Sequence, residues 1–407
     1  MLFTVIPSTS DPEQIAVASL KTAEHRVLLE GSHPRYVGTG HLFFRRGTTL
    51  WRVPFDAQDA QLAGEPVPVL EGVRAAPRSA SFALGGNGSL AYFPEREQTE
   101  SPRALVWVDR QGQEEELPLP PRSYVWPRVS PDGMHAAVWT IDSRDVWVTE
   151  LERGTLSRLT TYEGNDTTPL WTPSGERVVF QSTRAPRGLY SKAADGTGTV
   201  ELLLRANEDW AFMNPMSWSG DGRTLVFHYW SPDTAGDIGV LPMGGEREWE
   251  PLLETPAIEL APAVSQDGKW LAYLSDQTGQ AEVYVERFPN LGDRRQISVD
   301  GGMGPQWSPD GRELFYRRLG DGALMVVSFD SASGAVRGRP EVVFDGRYFH
   351  ALGGPFDNPG YIDYGIAPEG DRFLMLKDVA STTGASQERI VIVGNWLDEL
   401  DRRPPAP

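Results

Sequence analysis

Histidine and carboxylate side chains are the groups in this sequence that could bind a metal ion or transfer protons. None of the six His is followed by Glu, so the His-Glu-x-x-His helix of zinc proteases is absent. The chain has no Cys, which excludes thiolate nucleophiles and Cys-ligated metals. Asp142, Asp145 and Asp166 are candidate cation ligands, but they lack the alternating acidic spacing of a calcium loop. We therefore predict no metal site and no cofactor.

Motifs for nucleophilic catalysis and phosphoryl transfer are also missing. No Gly-x-Ser-x-Gly elbow occurs, and neither a His-Arg-Asp nor an Asp-Phe-Gly triplet is present. These absences argue against a hydrolase with a serine nucleophile and against a kinase. We expect no catalytic residue and no enzymatic activity.

Aromatic and acidic side chains concentrate in two segments, residues 208–214 and 347–361. Aromatic side chains on loops are frequent anchors of binding surfaces, because they bury a large area at little cost in rotamer entropy. Neighbouring carboxylates would favour a basic or polar partner. The predicted binding residues are Asp166, Asp209, Trp210, Phe212, Tyr348, Phe356 and Tyr361. Packing of the same loops over the ends of the strands is the alternative interpretation.

A repeated turn signature indicates which elements position these loops. An apolar residue is followed by Ser or Thr, any residue, Asp or a substitute, and Gly, as in Trp218-Ser219-Gly220-Asp221-Gly222. The signature glycines are Gly40, Gly88, Gly133, Gly175, Gly222, Gly268, Gly311 and Gly370. Asp followed by Gly supplies the positive φ of a tight hairpin, so each copy predicts a turn between two strands. A repeat of roughly 45 residues is typical of β-propellers.

Strand patterns after each turn complete a four-stranded unit. In one repeat, the signature precedes apolar strands at residues 223–227 and 237–240, and a shorter fourth strand closes other repeats, as at residues 201–204. Four antiparallel strands form the blade of a propeller. In five repeats a Pro stands six residues before the turn Gly, and we predict that it opens the inner strand of its blade, where it removes no ladder hydrogen bond.

The fold class predicted for the 407 residues is an all-β propeller of four-stranded antiparallel blades. We expect a single domain over residues 1–400, in which residues 1–30 form a partial blade, and a Pro-rich tail at 401–407. Neither end supplies a whole blade, so we predict a ring closed by strands from both termini, because an open sheet edge invites aggregation. The prediction is eight blades, and seven is the alternative.

Charge and hydropathy limit the possible partners. The net charge is −18, which disfavours nucleic acids and anionic membrane surfaces. No apolar run is long enough to span a bilayer, and the first residues lack the features of a signal peptide. We expect a cytoplasmic monomer from the chain as it stands, or a periplasmic or extracytoplasmic module if it is part of a longer receptor. The expected partner is a protein, a peptide or a glycan.

The repeats resemble the PD-type propeller repeats of the TolB and Tricorn-like families. They are most similar to the C-terminal propeller region of bacterial transmembrane serine/threonine kinases, on residues such as 49–56, 105–112 and 282–289. The resemblance covers nearly the whole chain and implies a sensory or scaffold propeller. The kinase motifs are absent here, so the resemblance implies no phosphotransfer.

The function predicted from the sequence is therefore a non-catalytic binding or scaffold module. Two alternatives stay open at this point. A propeller enzyme of the glycosidase or lactonase type would need channel carboxylates or a channel metal. A structural fragment of a larger receptor would need neither.

Overall fold

A computed structural model describes residues 1–5, 13–19, 25–73, 82–85, 88–94, 102–232, 234–245, 247–345, 348–349, 362–379 and 390–400. The chain divides into two compact units, which are Met1–Thr99 with Ser381–Pro407, and Glu100–Ala380. The single domain predicted for residues 1–400 stays a prediction, and the tail at 401–407 lies outside the described residues. No helix among the described residues is long and apolar enough to cross a membrane.

Almost all regular structure is β-strand. Residues 1–99 contribute β1 (Leu2–Val5), β2 (Gln14–Ala18), β3 (His25–Glu30), β4 (Ser32–Val37), β5 (His41–Arg46), β6 (Thr49–Asp56), β7 (Gln61–Leu62), β8 (Val67–Leu70), β9 (Phe82–Leu84) and β10 (Leu90–Tyr92). Residues 100–380 contribute β11 (Arg103–Asp109), β12 (Glu114–Glu116), β13 (Tyr124–Val129), β14 (His135–Thr140), β15 (Asp145–Glu150), β16 (Thr155–Arg158), β17 (Asp166–Trp171), β18 (Arg177–Ser182), β19 (Gly188–Ala193), β20 (Glu201–Arg205), β21 (Met213–Trp218), β22 (Thr224–Ser231), β23 (Ala235–Pro242), β24 (Glu250–Leu253), β25 (Glu259–Val264), β26 (Trp270–Ser275), β27 (Glu282–Arg287), β28 (Arg295–Gln296), β29 (Gly302–Trp307), β30 (Glu313–Arg318), β31 (Leu324–Asp330), β32 (Ala335–Phe344), β33 (Tyr364–Ile366) and β34 (Arg372–Asp378). β35 (Val391–Val393) and α1 (Trp396–Leu400) follow.

The first unit contains three antiparallel sheets. Their strand orders are β1-β2-β3, β4-β5-β6-β7 with β8 also paired to β6, and β35-β10-β9. Phe44 and Ile15 belong to a core shared by the first two sheets, whereas Phe43, Leu90 and Trp396 belong to a core shared by the second and third. The sheets of this unit therefore pack face to face in series.

The second unit consists of six four-stranded sheets. The first sheet has the order β12-β11-β34-β33, and the second to sixth sheets are β13–β16, β17–β20, β21–β24, β25–β28 and β29–β32. The first sheet joins the two ends of the unit, because β11 pairs antiparallel with β34 over seven residue pairs, from Arg103 opposite Asp378 to Asp109 opposite Arg372. This pairing closes the sequence of sheets, and residues 100–380 form a six-bladed β-propeller.

The all-β propeller of four-stranded blades predicted from the sequence is confirmed, but its details differ. Closure by strands from both ends is present within residues 100–380, whereas β1, β2 and β3 pair with one another rather than with the last repeat. A count of eight blades is not confirmed. The β11–β34 ladder of seven residue pairs completes the ring of residues 100–380 without the N-terminal strands. The sequence patterns did not reveal this pairing.

Hydrogen bonds and packing join each of the six sheets to the next. Between the later sheets, the indole Nε1 groups of Trp171, Trp218 and Trp307 donate to the carbonyl oxygens of Arg128, Trp171 and Ala263, at 2.9, 2.8 and 3.0 Å. Val264 N donates to Ser217 Oγ at 2.9 Å, and Gln306 Nε2 donates to Tyr364 O at 2.9 Å across the closure. The first and second sheets share a buried core around Trp107 and Tyr124.

The signature turns are built as the sequence predicts. Ser219 Oγ donates to Asp221 Oδ1 at 2.6 Å, Arg223 N donates to the same oxygen at 3.1 Å, and Thr224 N donates to Ser219 Oγ at 3.0 Å. Gly222 ends the turn with φ +69°, a conformation that glycine adopts without strain. Each signature Asp therefore serves its own turn.

The repeated Pro has a different place from the predicted one. Pro127 and Pro169 lie inside β13 and β17, not at the first residue of the strand. In both strands a β-bulge interrupts the register at the Pro, and the residues before it, Trp126 and Thr168, have φ +58° and +53°. The bulge accommodates a residue without an N–H group, so Pro is tolerated within the strand.

Candidate functional site

Each sheet of the propeller has one strand that faces the central channel, and these six inner strands are β33, β13, β17, β21, β25 and β29. We call the end at which an inner strand begins the loop end, and the end followed by a signature turn the turn end. The sequence predicts the binding site at the loop end. The structure places the predicted residues as follows.

Trp210 belongs to the core of the fourth sheet. It is 5% exposed, and its ring stacks on Tyr229 with a centroid distance of 4.3 Å and meets the edge of Trp249 at 4.9 Å. An aromatic side chain in this position fills space between the loop and the sheet. It does not present a surface to a partner.

The two other predicted residues of this loop differ in exposure. Asp209 is exposed, whereas Phe212 is half-buried with its ring 5.7 Å from the rings of both His228 and Trp230. Phe212 thus covers the end of the sheet, and Asp209 points to solvent without an aromatic anchor beside it.

Asp166 is a buried partner of an arginine. Its carboxylate is fully buried at the start of β17, and Arg184 Nη2 donates to Oδ2 at 2.5 Å. Burial raises the pKa of the Asp166 carboxyl, and the charge of Arg184 opposes this effect. Asp145 is likewise buried and paired with Arg158. Each of these two buried carboxylates is therefore paired with an arginine of the same propeller.

Tyr348 is buried in a different part of the propeller. It is 7% exposed, lies against Phe344 at 5.6 Å between ring centroids, and donates from Oη to Glu114 Oε1 at 2.8 Å. Phe356 and Tyr361 lie outside the described residues. Of the described residues in the predicted set, Asp166, Trp210 and Tyr348 are buried, Phe212 is half-buried and Asp209 is exposed, and the loop-end site stays a prediction.

A cavity opens instead at the turn end of the channel. Its volume is about 460 Å³, and all six sheets contribute to its wall. The residues that line it are the last two or three of each inner strand and the first of each turn, namely Arg128, Val129, Ser130, Pro131, Leu170, Trp171, Thr172, Pro173, Met216, Ser217, Trp218, Ser219, Gly220, Gly222, Ala263, Val264, Ser265, Gln266, Pro305, Gln306, Trp307, Ser308, Pro309, Ile362, Gly365, Ile366 and Pro368. This volume lies within the range of about 300–1,000 Å³ typical of ligand pockets.

Three tryptophans are among the residues that line the cavity. Trp171 and Trp307 are buried and Trp218 is half-buried, and the ring N–H of each donates to the neighbouring sheet. Because these donors are already used, the indole N–H groups are not available to a ligand.

Arg128 is the one charged residue among those that line the cavity within the described part of the chain. The side chain is 7% exposed, and its Nε and Nη2 atoms have no hydrogen-bond partner among the described residues. Its guanidinium carbon lies 6.0 Å from the centroid of the Trp126 ring. Burial lowers the pKa of Arg128 to about 10, so the group stays cationic at neutral pH.

A neutral hydrogen-bond network lies deeper in the channel. Ala261 N donates to His228 Nδ1 at 3.1 Å, so the proton of the neutral ring is on Nε2. Nε2 lies 2.8 Å from Asn214 Nδ2, and an Nε2–H···O hydrogen bond forms when the Asn214 amide is turned with its oxygen toward the ring. Asn214 in turn contacts Thr168 Oγ1 at 3.1 Å. Burial, together with the nearby charge of Arg128, lowers the pKa of His228 to about 3. The network therefore adds no second cation beside Arg128.

A metal ion requires several ligand side chains grouped around it. Across the described part of the chain, no group of three or more His, Asp or Glu side chains is arranged to hold a metal ion. The cavity lining described above includes no carboxylate.

Comparison with solved structures identifies the architecture. A TolB protein from Agrobacterium tumefaciens matches with a TM-score of 0.54 at 16% identity, over 69% of this chain and 99% of that chain. The fold is a TolB-type β-propeller. TolB from Acinetobacter baumannii matches with a TM-score of 0.45 at 15% identity, over 88% and 80% of the two chains, and the tricorn protease with 0.42 at 11%, over 96% and 47%. No family model matches the chain.

Sequence reasoning missed Arg128, although the repeats contain the signal. In the six signature copies of residues 100–380, the position two residues before the Ser or its substitute is occupied by Arg128, Leu170, Ser217, Ala263, Gln306 and Gly365. Arg128 is the one charged member of these six, and Arg35 stands at the same position in the copy that ends at Gly40. A comparison of all repeats at this position would have selected both arginines.

Proposed function

We propose that the propeller of residues 100–380 is a non-catalytic binding module that receives a narrow segment of a protein or peptide partner in its turn-end cavity. The cavity itself carries this proposal. It is bounded by all six sheets, three tryptophans are among the residues that line it, and the turns at its mouth are fixed by side-chain hydrogen bonds. A preformed site of this kind loses little conformational entropy when a ligand enters.

The size of the cavity favours an extended peptide end or a loop tip over a folded surface. About 460 Å³ accommodates a few side chains. Three finer points stay predictions that are supported by the sequence resemblance and the composition alone. They are a role as the sensor region of a bacterial receptor kinase, a monomeric state, and the choice between a protein and a glycan partner.

A blocking substitution tests the location of the site. Gln266 is exposed and lines the cavity, whereas Gln277 is exposed at the opposite end of the same sheet. Peptides selected from a displayed random library on the wild-type protein should bind Gln277→Trp with unchanged affinity. They should bind Gln266→Trp at least about tenfold more weakly, because loss of a central contact typically weakens binding by this much or more.

Two results would contradict the proposal. Equal affinity of the selected peptides for both variants would place the binding surface elsewhere on the molecule. A selection that returns no peptide with measurable affinity would show that the cavity is not a peptide site. Circular dichroism and thermal melts of both variants confirm that the fold is retained.

A further inference from the structure

We propose that Arg128 makes the turn-end cavity a carboxylate-recognition site. The inference rests on the proposed function, since it names the chemical group by which the partner segment is held. Arg128 combines three properties: its side chain is more than nine-tenths buried, it lines the cavity, and two of its nitrogen atoms lack hydrogen-bond partners in the described part of the chain.

A second buried arginine shows what internal compensation looks like in this propeller. Arg317 is 1% exposed, and its Nε and Nη2 also have no hydrogen-bond partner among the described residues, but its Nε lies 3.8 Å from a carboxylate oxygen of Asp363, which is also buried. Arg128 has no carboxylate within 4.0 Å among the described residues. A buried charge without a counter-charge is unfavourable, so the position gains free energy when an anion enters the cavity.

The polar groups near Arg128 already have hydrogen-bond partners within the propeller. The indole N–H groups of Trp171, Trp218 and Trp307 donate to backbone carbonyls, and Tyr364 Oη donates to Gly304 O at 2.9 Å. His228 is neutral, its Nδ1 accepts from Ala261 N, and its Nε2 is in contact with the Asn214 amide. Arg128 therefore carries the charged donor group among the described residues that line this cavity, and a guanidinium fork matches a carboxylate in a bidentate geometry.

Charge favours a singly charged anion over a phosphate. Hydrogen bonds lower the pKa values of Asp132, Asp221 and Asp310 in the turns around the mouth, so these carboxylates stay ionised. Arg128 matches the single charge of a carboxylate, whereas the second charge of a phosphate meets no further cation among the described residues of the lining and a net chain charge of −18. The carboxylate could belong to a peptide C-terminus or to an Asp or Glu side chain.

Small carboxylates test the site without any peptide. Acetate and propionate are titrated against chloride at equal ionic strength, and the fluorescence of the cavity tryptophans and the melting temperature are followed. The wild type should respond saturably to the carboxylates, and Arg128→Met should not. An equal response of both proteins, or no response of either, overturns the carboxylate assignment, while the peptide result for Gln266→Trp still decides the proposed function independently.

Matched peptides then distinguish the source of the carboxylate. Selected peptides are synthesised with a free or amidated C-terminus and with internal acidic residues or their amides. One of these changes should reduce the affinity for the wild type about tenfold or more, and the same change should have little effect on binding to Arg128→Met. Arg128→Lys should retain part of the preference, because it keeps the charge but loses the fork. Peptides that bind equally well without any carboxylate would overturn the inference and leave the peptide site intact.

The stability of the Arg128→Met variant tests whether Arg128 has a merely structural role. Without ligand, the melting temperature of this variant should equal or exceed that of the wild type, because a buried and uncompensated charge is replaced by an apolar side chain of similar length. A clear decrease in melting temperature, or failure to fold, would show that Arg128 is held by partners within the propeller and would overturn the proposal.

Discussion

The two ends of the propeller channel differ in the contacts that their charged and aromatic residues make. At the loop end, Asp166 is paired with Arg184, Arg317 with Asp363, and Trp210 is packed under its own loop. At the turn end, Arg128 stands in a cavity whose described lining includes no carboxylate. The residue types at the loop end suggest a binding site, yet Asp166 and Arg317 each lie beside an oppositely charged side chain of the fold. The contrast with Arg128 therefore concerns the counter-charge, which no described residue within 4.0 Å supplies to Arg128.

The largest expected effect at the loop end is on stability. Trp210→Ala should destabilise the propeller by about 3–5 kcal/mol, because it leaves a large void among Tyr229, Trp249 and Phe227. The affinity of the folded protein for cavity-binding peptides should change by less than about twofold, since no cavity contact is lost. Urea unfolding and peptide titration measure the two quantities. Phe212→Ala is the control, and its half-buried ring should give a smaller loss of stability. Unchanged stability of Trp210→Ala would mean that the ring is available as an anchor after all.

The two buried arginines provide the sharpest contrast. Arg317→Met should destabilise the protein by about 3–5 kcal/mol, because it leaves the Asp363 carboxylate buried without its ionic partner. Arg128→Met, the matched substitution at the turn end, should not destabilise it. Chemical unfolding of the two variants under the same conditions measures the difference. Similar losses in both would remove the distinction between a compensated and an uncompensated cation.

A smaller, pH-dependent effect concerns Glu259 at the start of β25. Burial raises the pKa of Glu259 to about 7, against hydrogen bonds from Thr255 and Ser275 that lower it. The folded state therefore binds the proton more tightly than the unfolded state. The resulting stabilisation is complete below about pH 4.5 and is lost as the pH rises through about 7.

Glu259→Gln keeps a neutral side chain at every pH and should escape this loss. Between pH 4.5 and 8, the free energy of unfolding of the variant should gain on that of the wild type by on the order of 3 kcal/mol. Asp237, whose pKa burial raises to about 6, titrates in both proteins, and its charge also raises the pKa of Glu259. Parallel stability curves for the two proteins would show that folding does not raise the pKa of Glu259.

The turn chemistry made the architecture predictable from the sequence. Ser219, Asp221 and Gly222 form a local structure whose hydrogen bonds depend on residues within a few positions, so the sequence pattern alone identifies it. Trp210 depends on non-local packing instead, and its burial could not be inferred from its place in a loop. Closure through β11 and β34 is non-local too, because the paired strands are more than 260 residues apart in the chain.

The β11–β34 pairing also has a consequence for the order of events during synthesis. The second to sixth sheets are each formed from a continuous stretch of chain, so each can assemble soon after its last strand emerges from the ribosome. The first sheet cannot, because β11 and β12 must wait for β33 and β34 at residues 364–378. Until then the edge of β11 and the faces of the second and sixth sheets lack their partners. The edge of β11 that pairs with β34 therefore stays without its partner from the translation of residue 109 until the translation of residue 372.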